Sequence, residues 1–183
     1  MKVLCVIDMQ NDFIDGSLGS VEAQNIVPNV VHKVKEFRGV IFYTLDTHDS
    51  NYKETLEGKL LPVEHCIYDT KGWEVHPEVK AELDSSDIAL LVTKKSFGSL
   101  GLPERIKALE KATTEVESIE ICGLCTDICV ISNALILRAA FPDVPIILDA
   151  SCCAGVTPEK HKAALEVMKS CQIDVVNDKS LDS

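Results

Sequence analysis

Six short runs rich in valine, isoleucine and leucine, at residues 2–8, 40–45, 88–93, 116–122, 144–149 and 173–176, recur along the chain with longer polar-apolar segments between them. Runs of that length without polar alternation predict strands buried on both faces. The intervening segments 22–37, 76–83, 103–111, 127–140 and 158–170 repeat their apolar positions at helical spacing. Pro103 and Pro158 suit a first helical turn, and Thr157 can cap the helix that Pro158 opens. This alternation, free of internal repeats and low-complexity segments, predicts an α/β fold: a single-domain doubly wound, mostly parallel sheet of about six strands with helices on both faces. At 183 residues the chain suits one such domain over 1–183 and can bury a substantial core.

Composition narrows the partners. With 46% hydrophobic and 26% charged residues the chain is ordinary globular material. Its net charge of −11, with no Lys/Arg-rich stretch, opposes phosphate backbones and anionic bilayers, so neither nucleic acid nor a membrane is an expected partner. No apolar stretch approaches the ~18 residues of a spanning helix, and the opening run stops at Asp8, too early for a signal-peptide core, so a cytoplasmic location is expected. Of the eight cysteines, Cys5, Cys122, Cys152 and Cys153 fall in or beside apolar runs, where a free thiol behaves as a small hydrophobe. A chain of this size needs no disulfide scaffold.

Chemistry is expected at the strand ends, because an open parallel sheet gathers its carboxyl ends along one edge. Asp8 closes the first run, Lys94 follows the third, and Cys129 falls in the first turn of the helix after the fourth. An acid, an amine and a thiol brought together make a cysteine nucleophile with its own base, and the amine charge should lower the thiol pKa. Each residue also has a plainer reading: a turn cap for Asp8, a solvated strand end for Lys94, a buried core thiol for Cys129. Two rival readings share the segment. Cys122 and Cys125 form a C-x-x-C suited to thiol-disulfide exchange, and Cys122, Cys125 and Cys129 could together hold a metal.

Residues 46–75 form a connection too long to be idle in a compact domain. Asp46, His48, Glu57 and His65 lie in it, a carboxylate and imidazole set suited to zinc, manganese or iron. Scattered surface polarity is the alternative. His32, His76 and His161 have no such neighbours and are expected at the surface.

The stretch Ile7-Asp8-Met9-Gln10-Asn11-Asp12-Phe13 resembles the D-x-Q-N-D-F opening of the isochorismatase-like cysteine hydrolases, whose best-known members are nicotinamidases. Residues 123–130 resemble that family's G-x-x-T-D-x-C-V nucleophile segment, Asp46-Thr47-His48 its D-x-H, and Glu57 to Pro62 followed by His65-Cys66 its later ligand segment. The resemblance covers nearly the whole chain and implies the isochorismatase-like, Rossmann-like fold. It implies a catalytic triad of Asp8, Lys94 and Cys129, with Lys95 the adjacent alternative to Lys94. It further implies a cis peptide at Leu124-Cys125 and an oxyanion hole from the backbone N–H groups of Cys125 and Cys129. A divalent metal, zinc before manganese or iron, would be held by Asp46, His48 and His65, with Glu57 a ligand in some members.

Gln10, Phe13 and Trp73 are the candidate substrate-binding residues: Phe13 matches an aromatic that lines the ring pocket, and Trp73 could supply a second ring where Leu61 stands in place of a common aromatic. The expected function is hydrolysis of a small primary amide, nicotinamide first, through a thioester. A family member acting on another amide or an N-carbamoyl compound is the alternative. Assembly as a homo-oligomer is also expected.

Overall fold

The computed structural model describes residues 1–178. Six strands form one sheet: β1 Lys2–Ile7, β2 Val40–Asp46, β3 Ala89–Lys94, β4 Ser118–Leu124, β5 Ile146–Ala154 and β6 Asp174–Val176. Their order is β3-β2-β1-β4-β5-β6 and every pairing is parallel, so the sheet is wholly rather than mostly parallel. The order reverses beside β1, which places the switch point between the ends of β1 and β4.

The helices are α1 Asn11–Ile14, α2 Val21–Glu36, α3 Leu56–Leu60, α4 Pro77–Ser85, α5 Gly101–Ala112, α6 Ile131–Ala140 and α7 Pro158–Ser170. Helices α2 and α4 pack on each other over one face of the sheet, and α5, α6 and α7 form a row over the other. Ser20 and Thr157 cap α2 and α7 through side-chain oxygens that accept from Ala23 N and Lys160 N. Strand β1 is central, and Val3 to Ile7 are at most 1% exposed, which is why it reads as an unbroken apolar run. No described helix is long and apolar enough to cross a membrane.

Two departures from the sequence reading bear on the site. The helix expected to carry Cys129 does not start at residue 127: a single π-turn, Thr126–Val130, with Val130 N donating to Cys125 O at 3.1 Å, precedes α6. Residues 46–75 are also far from irregular. A parallel bridge pairs His48 with Ile67, an antiparallel one pairs Gln10 with Val75, and a 3-10 turn at Tyr52–Glu54 leads into α3. Tight inter-strand packing shows at Gly123, where φ is +123° and a Cβ would sit 2.1 Å from Ile7 O; only glycine lets β4 end so close to β1.

Candidate active site

Asp8, Lys94 and Cys129 meet at the carboxyl edge of the sheet. Lys94 Nζ lies 2.6 Å from Asp8 Oδ2 and 3.4 Å from Cys129 Sγ, and all three residues are at most 5% exposed. Lys95 points away: its ammonium is exposed and pairs with Asp49 at 2.7 Å. Asp8 has a left-handed backbone, φ +48°, which aspartate tolerates better than most residues. Its Oδ1 accepts from the Thr44 hydroxyl at 2.6 Å. Its Oδ2 contacts Lys94 closely but at a poor angle, so this buried oxygen keeps acceptor capacity for a proton.

Burial dominates the charges of this group. It pushes the Asp8 carboxyl up, against the pull of Lys94. It would lower Lys94, but the carboxylates of Asp8 and Asp46 outweigh it and hold the ammonium above its usual range. Burial pushes the Cys129 thiol well above its usual range, Asp8 adds to the rise, and Lys94 opposes it. The lysine therefore acts in the expected direction, lowering the thiol, while burial and Asp8 act against it.

The second cluster lies against the first. Asp46, His48, Glu57 and His65 each offer a ligand atom within 4.8 Å of the others. His48 Nε2 is 3.0 Å from Asp46 Oδ2 and 3.7 Å from Glu57 Oε1, and His65 Nε2 is 3.7 Å and 3.6 Å from the same two oxygens. Ligands ~2.1 Å from a tetrahedral ion stand roughly 3.4 Å apart, so these separations fit one divalent ion. The His65 Nδ1 N–H donates to Val63 O at 2.9 Å, which turns Nε2 and its lone pair inward. Burial alone would lower the His65 imidazole, yet Asp46 and Glu57 push it up to about 10. Two carboxylates in this pocket call for a positive charge, which a metal ion would supply. Glu57, with 21% of its side chain exposed, sits on α3, whose start is fixed by Thr55 Oγ1 accepting from Gly58 N.

Asp46 belongs to both clusters: its Oδ1 is 3.3 Å from Lys94 Nζ while its Oδ2 faces the imidazoles.

The three candidate substrate residues fare differently. Phe13 is buried with its ring 5.6 Å from that of His65, at the edge of the site. Gln10 is fully buried and its amide is spent on backbone: it accepts from Asp46 N at 2.8 Å and donates to Asp46 O and Trp73 O at 2.9 and 2.8 Å. It mimics a neighbouring strand and fixes Asp46, which leaves it no group for a substrate. Trp73 packs its ring against Tyr68, with centroids 5.1 Å apart. Its indole N–H donates to Thr47 Oγ1, and it lines a groove of about 590 Å³ with Tyr43, Leu45 and Leu91. Successive strand residues point to opposite faces, so this groove lies on the Leu45 side of the sheet and not the Asp46 side.

Other residues at the site were not read from the sequence. Tyr52 is fully buried with its ring 4.8 Å from His48 and 5.0 Å from His65. Thr44 could have been found, since it stands two positions before Asp46 on the same strand face. His161, expected at the surface, instead meets the Thr126 hydroxyl at 2.7 Å, just ahead of the nucleophile turn. His32 is exposed as expected. The C-x-x-C pair is poorly placed for exchange, because Cys122 is fully buried in β4 with its thiol pushed well up. The expected cis peptide is present at Leu124-Cys125.

Comparison with known proteins agrees with this geometry. The Isochorismatase domain family model matches residues 2–179. The nicotinamidase/pyrazinamidase of Mycobacterium tuberculosis is 24% identical over 197 residues, covering 96% of this chain and 98% of its own. A probable inactive nicotinamidase of Arabidopsis thaliana is 30% identical over 183 residues, covering 91% and 87%. Among solved structures, the pyrazinamidase of Pyrococcus horikoshii in complex with zinc is similar with a TM-score of 0.80 at 26% identity, covering 96% of this chain and 98% of that one. A match running from the first strand to the last through both residue clusters leaves one conclusion: the chain belongs to the isochorismatase family.

Proposed function

We propose that this protein is a metal-containing cysteine amidohydrolase that releases ammonia from a small primary amide, with nicotinamide the leading substrate. The observation that carries the reading is the convergence of Asp8, Lys94 and Cys129 within 2.6 and 3.4 Å contacts of one ammonium. Cys129 Sγ attacks the amide carbon as its proton passes to Asp8, and Lys94 holds the sulfur's developing negative charge. The backbone N–H groups of Cys125 and Cys129 hold the oxyanion. Asp8 returns the proton to the amine, ammonia leaves, and a thioester remains. Asp8 then takes a proton from water, which attacks the thioester and frees the acid and the thiol. A raised carboxyl pKa suits this shuttle, because it brings the base closer to the thiol it must deprotonate.

Asp46, His48 and His65 would hold the ion, with Glu57 beside them, and the ion's chemistry would be to orient a substrate through a ring nitrogen. The ion in the Pyrococcus horikoshii relative, zinc, is the one proposed here. Ammonia release from a panel of small amides tests the reading. Nicotinamide and pyrazinamide should exceed benzamide, which lacks the ring nitrogen, by about tenfold or more in kcat/KM. The gap should narrow on chelation. Equal rates for nicotinamide and benzamide remove the ring-nitrogen argument; turnover of only an aliphatic or N-carbamoyl amide transfers the reading to another substrate class. The Arabidopsis thaliana relative raises a second reading, a fold without turnover, which the complete Asp-Lys-Cys group opposes.

The adjacent lysines give a sharper test. Lys94→Ala removes the ammonium that contacts both Asp8 and Cys129 and should lower kcat/KM by about 10³-fold or more, as loss of a charge buried at a reaction centre does. Lys95→Ala breaks an exposed pair and should leave the rate within about twofold. The reverse pattern would move the triad to Lys95.

A further inference from the structure

We propose that Asp12 is a positioning residue for the metal cluster, acting through the Cys66 peptide; the proposal rests on the metal reading above. Asp12 touches no ligand atom of the cluster. Its Oδ2 accepts from Cys66 N at 2.7 Å, and the carbonyl of the same residue accepts from His48 N at 3.0 Å. Cys66 is thus gripped at both backbone groups, by a carboxylate on one side and by a ligand residue on the other. It immediately follows His65, is fully buried, and has a positive φ of +47°. A non-glycine residue keeps that conformation only where its surroundings impose it. Here the charge-assisted hydrogen bond that Cys66 N–H donates to Asp12 is the imposing contact, and it sets the direction in which His65 leaves the chain.

The packing around the carboxylate supports the same role. Asp12 N donates to Gly72 O at 3.0 Å, and a Cβ on Gly72 would stand 2.1 Å from Asp12 Oδ2. The chain has glycine where the carboxylate needs the room. Asp12 also follows Asp8 and Gln10 at alternate positions of one short segment. Asp8 meets Lys94, Gln10 fixes the Asp46 backbone, and Asp12 fixes the peptide between His65 and Ile67. Five consecutive residues therefore hold the acid of the triad and set two ligands of the ion, which fixes the distance from one centre to the other.

The test is zinc affinity, measured by chelator competition on the metal-stripped full chain, with circular dichroism confirming the fold of each variant. Loss of a hydrogen bond that supports a ligand costs about 10–100-fold in metal affinity, and Asp12→Ala should fall in that range. Gly72→Ala, which displaces the carboxylate without removing it, should do likewise. Asp12→Asn keeps an oxygen that can accept from Cys66 N and should fall between Asp12→Ala and the wild type. At saturating zinc the kcat of all three should return close to the wild-type value, a recovery that a purely structural role would not give. Asp12→Ala with unchanged zinc affinity, whether or not its melting temperature falls, overturns the proposal; if that variant does not fold, unchanged affinity in both Asp12→Asn and Gly72→Ala does the same. A wild-type chain that takes up no divalent ion overturns the metal reading itself, and with it this one.

Discussion

Cys129→Ala is expected to abolish ammonia release, with a fall in kcat of about 10⁴-fold or more, the loss typical when a nucleophile that works as a unit with its base is removed. Asp8→Asn should cost nearly as much, since the amide keeps the shape of the carboxyl but cannot take the thiol proton. The two effects should not add: the double variant should be scarcely slower than either single one, because each already removes the same step. The pH profile gives an independent check on Asp8. It must be ionised to act, so the rate falls as pH drops through its pKa, and burial has raised that pKa above the ordinary value of ~3.9. The acid limb of kcat/KM should therefore lie above the usual carboxylate range. Retention of more than a tenth of the activity in Cys129→Ala, or an acid limb at or below ~3.9, would take the nucleophile or the base away from these residues.

The other large effect concerns the ion. His65→Ala is expected to lose zinc by more than the roughly 10–100-fold that a supporting contact is worth, because it removes a ligand outright. It also leaves Asp46 and Glu57 with one imidazole fewer to balance them. Elemental analysis of protein purified without added metal should find close to one ion per wild-type chain and far less in the variant. Glu57→Gln should be milder, because its side chain is the most exposed of the four and can be replaced by water. A full equivalent of metal in His65→Ala would place the ion elsewhere.

The fold was legible because the inner strands β1 and β2 are buried on both faces and so appear as plain apolar runs, and because α7 carries the ordinary start signals Thr157 and Pro158. The meeting of Asp8 and Lys94 was legible for a related reason: a carboxylate at the end of β1 and a lysine at the end of β3 break otherwise apolar runs, and parallel topology brings such ends together. What stayed hidden depends on groups that have no sequence period. The direction of Trp73 follows from a loop that folds back through two isolated bridges, and nothing local says on which side of the sheet it will lie. Gln10 looks like a substrate ligand until its amide is seen to be used up by the Asp46 backbone. That Lys94 lowers the Cys129 thiol was legible; that burial outweighs it was not, because the sequence shows the nearby ammonium but not the degree of burial.

The carboxylate of Asp46, with one oxygen toward Lys94 and the other toward the imidazoles, has a consequence for how the two centres behave together. An ion held at the outer oxygen would withdraw negative charge from the inner one, so the Lys94 ammonium would meet a different counter-charge in the loaded and the stripped protein. Occupancy of the ion site and the protonation equilibria of the other centre would be linked, and that linkage would run both ways. A single shared side chain would make the ion a tuner of the proposed nucleophile even for an amide that never touches it.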